Sequence, residues 1–347
     1  MLNDYLDLPY AHGNPLANGI LKAVPEDFIV EEIPLVEPCG EGEHQFLYIE
    51  KKDYTTEQVA KDLAEICQVS VRDVSYAGLK DKHALTRQWF SVHCPGRYFS
   101  DIGNKKGDNW SILSHARHSK KLKTGALKGN KFTLVLRSID NPSVVEEKLI
   151  NIQRVGVPNY FTAQRFGHCG QNLLQAKRML LEGKKVKNRF LAGLYLSAIR
   201  SYLFNHQVAA RIRQNTWRQV LQGDVLQLAG TRSLFTATED LELLQNRLEK
   251  RDVIPTAILW GRGSQLALGK VLSMQTSLLE EYTDFLNAIE QRKVERAYRA
   301  IILHAADLHW HWLDQHTLQM NFSLPAGSYA TAIVRELIME MPYERFS

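Results

Sequence analysis

Segments with strand character lie near both ends of the chain. Phe28–Ile33 and Gln45–Lys51 are apolar and rich in aromatic and β-branched residues, and a turn-rich stretch separates them, which predicts two strands. Lys131–Ile139 alternates between polar and apolar positions, as a half-buried strand does. His309–Trp312 and Thr317–Leu324 return to strand character. The two ends of the chain are therefore predicted to be rich in β-structure.

A helix and a strand–loop–strand unit follow the first two predicted strands. Thr55 is a suitable N-cap for a helical period that continues to Ile66. Val74–Leu79 and Gln88–His93 are then predicted to be strands, and the polar segment Lys80–Thr86 lies between them. A loop with several charged residues is thus held between two apolar segments.

The middle of the chain, from about residue 144 to about residue 300, has a helical period. Leu196, Leu203 and Ile212, for example, fall on one stripe, with polar residues largely opposite. A β-rich pattern at both ends and a helical middle predict one domain interrupted by an insertion. The predicted borders place residues 1–154 and 305–347 in the discontinuous domain and residues 155–304 in a mainly helical insertion.

Composition is that of a globular protein. The 347 residues are 44% hydrophobic and 23% charged, and the length exceeds that of a usual single core, which favours two domains. No apolar stretch approaches the ~20 residues that cross a bilayer. The N-terminal residues lack the basic start of a signal peptide, so a cytoplasmic protein without membrane contact is expected.

Several sequence motifs of other protein classes are absent or incomplete. The four cysteines form no Cys-x-x-Cys pair, which argues against a zinc site and a disulfide framework. Gly261–Ser264 lacks the third glycine of a dinucleotide-binding loop, and Gly263–Lys270 has the wrong spacing for a P-loop. His309 and His311 share a strand face, but no acid or thiol cluster joins them in sequence, which favours a structural role.

Charge is segregated along the chain. Residues 1–50 contain ten acidic residues and a single basic one, Lys22, whereas residues 51–137 contain seventeen basic and eight acidic residues. His115–Lys131 has six basic residues and no carboxylate, and residues 151–200 have nine basic residues against Glu182. A solvated lysine-rich surface explains either cluster alone, but the two together favour a polyanionic partner such as RNA.

The loop Lys80–His83 has the densest cluster of charges next to glycine and apolar strands. Asp81 lies between two lysines, whose positive charges favour an ionised carboxylate that can act as a nucleophile. A solvated turn with alternating charges has the same spacing. The sequence of the loop alone therefore does not distinguish a catalytic carboxylate from a solvated turn.

Five segments in matching order resemble the tRNA pseudouridine synthase D (TruD) family. Ser75–Ala84 is similar to the catalytic loop of that family, and Pro25–Glu32 to its N-terminal strand motif. Gly125–Phe132, Gly156–Gly167 and Leu324–Thr331 are similar to the remaining motifs. The five segments span nearly the whole chain, whereas a lone Lys-Asp-Lys would carry no weight.

The resemblance implies an α+β fold: a pseudouridine synthase catalytic domain with a mixed, mainly antiparallel sheet, and an inserted, mainly helical TRUD domain. It implies isomerisation of uridine at position 13 of tRNA after base flipping, without cofactor or metal. Asp81 is expected to be the catalytic carboxylate, which either adds to the uracil ring or acts at the ribose anomeric carbon. The expected substrate-binding residues are Lys22, Phe28, Glu31, Lys80, Lys82, His83, Asn130, Phe132, Asn159, Gln164 and Arg165.

Three points concern partners and alternatives. The expected partner is tRNA, and no obligate protein partner is indicated, which favours a monomer. One alternative is a non-catalytic RNA-binding protein, for which replacement of Asp81 would leave every function intact. The other is an RNA-directed hydrolase, which would need a metal ion or a second acid beside Asp81.

Overall fold

The structure is a computed structural model that describes residues 2, 4–99 and 101–341. Within these residues the strands are β1 Asn18–Leu21, β2 Phe28–Pro34, β3 His44–Lys52, β4 Val74–Tyr76, β5 Leu85–His93, β6 Trp110–His118, β7 Leu127–Arg137, β8 Val157–Pro158, β9 Val225–Leu228, β10 Leu234–Thr236, β11 Val253–Leu259, β12 Ala297–Ala300, β13 Ile302–Leu303, β14 Ala306–Trp312, β15 Leu318–Pro325 and β16 Met339–Glu340. The α-helices are α1 Thr56–Ile66, α2 Pro142–Val155, α3 Ala163–Phe166, α4 Gln171–Leu180, α5 Arg189–Arg213, α6 Leu241–Glu249, α7 Gly269–Leu279, α8 Thr283–Gln291 and α9 Thr331–Leu337.

The chain folds into two compact units. The sheet unit comprises residues 15–153, 305–330 and the described residues from 337 onward, and the helical unit comprises residues 154–304, 331–336 and the described residues before 15. The predicted domain borders at 154/155 and 304/305 stay a prediction, because a compact unit of the fold is not by itself a domain. The predicted catalytic domain also includes residues 342–347, which lie outside the described residues.

A ten-stranded mixed sheet forms the centre of the sheet unit. Its main order is β14-β15-β7-β2-β5-β3-β6, and β1, β4 and β16 are added beside this path. β2 lies antiparallel to β7 and parallel to β5, whereas β5 and β3 are antiparallel. A mixed sheet with mainly antiparallel pairs agrees with the fold expected from the family resemblance.

One face of this sheet is defined by the register of its strands, because directly opposed residues of neighbouring strands point to the same side. Val30 lies opposite both Phe132 in β7 and Thr86 in β5, and Thr86 lies opposite Lys51 in β3. Glu32 lies opposite Asn130. These residues, with Phe28, share what we call the active face.

Helix α1 begins as predicted. The Thr55 hydroxyl accepts a hydrogen bond from the Gln58 amide, and the Gln58 side chain accepts one from the Thr55 amide, which forms a capping box. Val59 and Leu63 are completely buried in a core that they share with Phe90 of β5. The helix thereby fixes the position of its first turn relative to the central strands.

The helical unit contains α3–α8 and also a four-stranded antiparallel sheet with the order β10-β9-β11-β12. The predicted helices are present, but these four strands were not predicted. Three of them have only three or four residues, too few to show a period of two against a helical background. No helix among the described residues is both long and apolar enough to cross a membrane.

Candidate active site

Asp81 lies in the loop that joins β4 to β5 at the active face. Its Oδ2 atom accepts a hydrogen bond from Lys22 Nζ at 2.9 Å, and about one fifth of its side chain, 21%, is exposed. The two residues are 59 positions apart in sequence, so the fold creates this ion pair. A half-buried carboxylate held by an ammonium group is accessible to a ligand and fixed in orientation.

Lys22 has an unusual backbone conformation directly after β1. Its φ angle is +61°, in the left-handed region that residues other than glycine adopt infrequently. Its ammonium group lies 4.0 Å from the centroid of the Phe28 ring, which adds a cation–π contact to the ion pair with Asp81. The local strain is therefore offset by contacts that direct the lysine to the carboxylate.

Lys80 forms a second ion pair beside Asp81, and this pair is buried. Lys80 Nζ lies 3.0 Å from Glu32 Oε2 and donates a hydrogen bond to Asn130 Oδ1 at 2.8 Å. Only 6% of the Lys80 side chain and 1% of the Glu32 side chain are exposed. Because the Asn130 oxygen accepts from Lys80, its amide nitrogen is left to donate to a ligand.

Three buried side chains bind the backbone of the Asp81 loop through hydrogen bonds. The Lys80 amide donates to Thr56 Oγ1 at 3.0 Å, and Gln88 Nε2 donates to the Gly78 carbonyl at 3.0 Å. Lys51 Nζ donates to the Asp81 carbonyl at 2.6 Å. Thr56, Gln88 and Lys51 are all buried, so the position of the loop is set by the strands and by the first turn of α1.

The aromatic residues of the site form a packed group. Phe132 stacks on Phe322, with centroids 5.5 Å apart, and meets Phe28 edge-on at 6.2 Å. Only 5% of Phe132 and 3% of Phe28 are exposed. The stacking role of Phe132 stays a prediction, and a uracil base would reach this ring only through its small exposed part.

Glu31 points away from this cluster. It pairs with Arg87 at 2.6 Å, and Arg87 also pairs with Glu50 at 2.8 Å, on the face of the sheet opposite to the active face. Consecutive strand residues alternate between faces, so Glu31 and Glu32 have opposite surroundings. The structure therefore brings Glu32, and not the predicted Glu31, to the Asp81 site.

Lys82 and His83 are exposed on the loop beyond Asp81. His83 Nδ1 lies 3.3 Å from Asp53 Oδ1, and more than half of the His83 side chain is accessible. Their exposed position suits contact with a ligand that approaches from solvent.

Three further predicted residues belong to the helical unit. Asn159 is buried, accepts a hydrogen bond from Arg299 at 2.6 Å and donates one to the Ala300 carbonyl at 2.8 Å. Arg165 donates to Ser197 Oγ at 3.1 Å, and Gln164 is exposed. Asn159 therefore stabilises its own unit, and a role of these three residues in substrate binding stays a prediction.

The basic segment from Lys120 to Lys131 is hydrogen-bonded to the loop that contains Asp81. The Gly125 amide donates to the Ala77 carbonyl at 2.7 Å, which fixes the end of the segment next to the loop. The lysine side chains of this region are exposed, namely Lys120, Lys121, Lys123, Lys128 and Lys131. Their charges are thus available to a polyanion that approaches the sheet unit.

The arrangement has the features of a site for nucleophilic chemistry on a nucleic acid. An accessible carboxylate is oriented by Lys22, the Asn130 amide is held by Lys80 beside Asp81, and exposed lysines flank Gly125, which is hydrogen-bonded to Ala77 of the loop. Among the described residues, no group of three or more His, Cys, Asp or Glu side chains is arranged to hold a metal ion.

Comparisons with known proteins identify the family. The family model of tRNA pseudouridine synthase D (TruD) matches residues 8–188 and 171–337. The tRNA pseudouridine synthases D of Legionella pneumophila strains Lens and Corby are each 43% identical over 334 residues, covering 96% of this chain and 98% of theirs. A crystal structure from Methanosarcina mazei, assigned as a tRNA pseudouridine synthase D, shares the fold with a TM-score of 0.73, at 22% identity over 95% of each chain. The chain belongs to the tRNA pseudouridine synthase D family.

Proposed function

We propose that this protein isomerises uridine to pseudouridine at position 13 of tRNA, with Asp81 as the catalytic carboxylate. The observation that carries the proposal is the Asp81–Lys22 ion pair, which holds an accessible carboxylate on the active face of a family-typical sheet. The reaction breaks the bond between N1 of uracil and C1′ of ribose and joins C1′ to C5 of the same base. One C–H proton is lost and one N–H proton is gained, so no oxidant, reductant or water is consumed.

Each residue of the site has a role in this proposal. Asp81 has two possible routes: it displaces uracil from C1′ and is displaced in turn when C5 attacks C1′, or it adds to the uracil ring and is expelled when the product forms. Lys22 keeps the carboxylate oriented on either route. Asn130 donates to a carbonyl oxygen of the uracil, and Lys80 holds Asn130 in place. Phe132 and Phe28 supply the apolar wall beside the base.

A uridine within folded tRNA reaches Asp81 only after leaving its stack, at a cost of a few kcal/mol. The exposed lysines Lys120, Lys121, Lys123 and Lys128, together with Lys82 on the loop, would bind the flanking phosphates and offset that cost. We also propose that the protein acts as a monomer in the cytoplasm.

Mapping of pseudouridine in tRNA from cells with and without this protein tests the proposal. Carbodiimide labelling should detect one modified uridine, at position 13, that is lost when the protein is removed and restored by the wild-type chain. An unchanged map would refute the proposed function. Strand breaks in place of a modified base would favour the RNA-directed hydrolase, and altered tRNA folding without a modified base would favour the non-catalytic binder.

Replacement of Lys22 tests the ion pair. We expect Lys22→Met to lower kcat by about 10- to 100-fold, the effect of losing one hydrogen bond between charged groups. The affinity for tRNA should change little, because the Lys22 ammonium group is held by the Asp81 carboxylate and the Phe28 ring, and three quarters of its side chain is buried. Lys61→Met, an exposed lysine of α1, is the matched control in single-turnover assays. An unchanged rate for Lys22→Met would show that the pair does not orient Asp81 for the reaction.

The exposed lysines predict a steep dependence of binding on salt. Each phosphate contact contributes about 0.7–0.9 to the slope of log K against log salt concentration. Replacing Lys120, Lys121 and Lys123 together by glutamine should therefore lower that slope by about two. Filter binding at several salt concentrations measures it, with Lys250→Gln in the helical unit as the control. A slope that the triple variant leaves unchanged would exclude this segment from the tRNA contact.

A further inference from the structure

Lys51 is a buried lysine whose ammonium group lies directly beneath the catalytic loop. Only 1% of the residue is exposed, and its Nζ atom donates a hydrogen bond of 2.6 Å to the carbonyl oxygen of Asp81. Within the described residues, Lys51 has no carboxylate within ion-pair distance. Lysines are almost never fully buried unless they are paired with a carboxylate, because removing the charge from water is costly. The buried ammonium group of Lys51 is thus costly for stability, which suggests that it has a role other than packing.

The strand that carries Lys51 is firmly fixed. β3 pairs along its whole length with β5 and along most of it with β6. Lys51 lies opposite Thr86 on one side and Trp110 on the other, both of them buried. The ammonium group therefore has a defined position relative to the sheet, and the carbonyl that it binds is fixed with it.

Asp81 is consequently held at two points. Lys22 binds the carboxylate at 2.9 Å, and Lys51 binds the backbone carbonyl of the same residue at 2.6 Å. The other two anchors of the loop, Thr56 and Gln88, are neutral and bind Lys80 and Gly78. Lys51 is the charged anchor, and it acts on the catalytic residue itself.

We propose that Lys51 is a positioning residue for the reaction: its ammonium group fixes the backbone of Asp81 and adds positive potential beneath the carboxylate. The inference rests on the proposed function. It assigns to Lys51 a contribution to kcat that operates through Asp81 and not through contact with the substrate.

The pH dependence follows from the surroundings of Lys51. The pKa of this amine is lowered to about 8, mainly by burial and also by the neighbouring charge of Lys80, whereas the carboxylates of Asp81 and Asp53 act in the opposite direction. Lys51 lines a cleft together with Lys106 and Asp108, which come just before β6. Glu50 points to the other face of the sheet. As the pH rises through 8, Lys51 loses its proton and its charge. We expect kcat to fall over this interval.

The test compares Lys51→Met with Lys52→Met in the full-length protein. Lys52 is the next residue, is half exposed and pairs with Glu26, so its replacement should leave kcat unchanged. For Lys51→Met we expect kcat on an unmodified tRNA transcript at pH 7 to fall about 10- to 100-fold, the effect of misplacing a catalytic group by about 1 Å. The Kd for tRNA should stay within about twofold.

The pH profile separates positioning from a purely structural role. Wild-type kcat should decline above pH 8 and approach the value of Lys51→Met, whose own profile should lack that decline. Lys51→Gln, which keeps a neutral donor, should fold if the methionine variant does not, and it should also lack the decline. If Lys51 had only a structural role, Lys51→Met would have a lower unfolding temperature. The pH profile of kcat of its folded fraction would then be the same as that of the wild type.

Two results would overturn the inference without touching the proposed function. In the first, the wild type is active and Asp81→Asn is inactive, but Lys51→Met has the same kcat as the wild type. The other is a decline above pH 8 that Lys51→Met and Lys51→Gln both retain. If the wild type itself forms no pseudouridine, the proposed function fails first, and the role of Lys51 in it fails as well.

Discussion

Asp81→Asn should lower the single-turnover rate of pseudouridine formation by about 10⁴-fold or more, the range seen when a catalytic nucleophile is removed. An amide has nearly the same shape as the carboxylate but does not form the transient bond to the nucleoside. The fold should tolerate the change, because the side chain is about one fifth exposed and its backbone anchors remain. The measurement is single-turnover conversion of an unmodified tRNA transcript by equal concentrations of the two proteins.

Binding separates this loss of chemistry from a loss of substrate. The Kd of Asp81→Asn for tRNA should remain within a few fold of the wild type, because the exposed lysines are unchanged. Asp73→Asn, at the turn before β4, is a matched control and should be fully active. Near-normal turnover by Asp81→Asn would mean that this carboxylate is not the catalytic group.

Lys80→Met should lower the free energy of unfolding by about 3–5 kcal/mol, the usual effect of removing one partner of a buried ion pair. Glu32 would be left with its charge buried, since 1% of its side chain is exposed, and Asn130 would lose its donor. The exposed pairs of the protein, such as Lys52–Glu26, should contribute much less than this buried pair. Urea denaturation at pH 7 measures the difference.

A double variant tests the origin of that destabilisation. Adding Glu32→Gln to Lys80→Met removes the uncompensated charge, so it should restore part of the lost stability. Lys82→Met, two positions along the same loop and exposed, should change the stability by less than about 0.5 kcal/mol. If Lys80→Met and Lys82→Met were equally stable, the Lys80–Glu32 pair would not hold the loop.

The elements around the site could be predicted from the sequence because they follow simple periods. Helix α1 has a threonine N-cap and an apolar stripe, and it begins within one residue of the expected position. β7 has a period of two because Phe132, Leu134 and Leu136, on one of its faces, are buried, although Val135 on the other face is buried as well. The loop with Asp81 was identified from its charges and from the family motif, since its spacing alone also suits a solvated turn.

The partners of the loop residues could be predicted only in part. Glu32 was not predicted. The available signal was the period of two in β2, which places Phe28, Val30 and Glu32 on the same buried face. Lys51 and Gln88 were missed because a polar residue at a strand position is normally assigned to the solvent face. Their burial depends on the backbone groups of a distant loop, which a local pattern does not contain.

The strands of the helical unit show the same limitation. β9 is short, and its pairing with β11 joins residues 25–29 positions apart in sequence. Tertiary contacts decide such strands more than local preference does. The predicted insertion is therefore mixed in structure, and its helices are the part that the sequence period revealed.

The most direct test of the central claim is incubation of the purified protein, without added cofactor, with an unmodified tRNA transcript, followed by carbodiimide mapping of the whole strand. We predict a single new reverse-transcription stop that reports pseudouridine at position 13, on an uncut strand, with the wild-type protein and none with Asp81→Asn. No stop with the wild type, or the same stop with both proteins, would contradict the account.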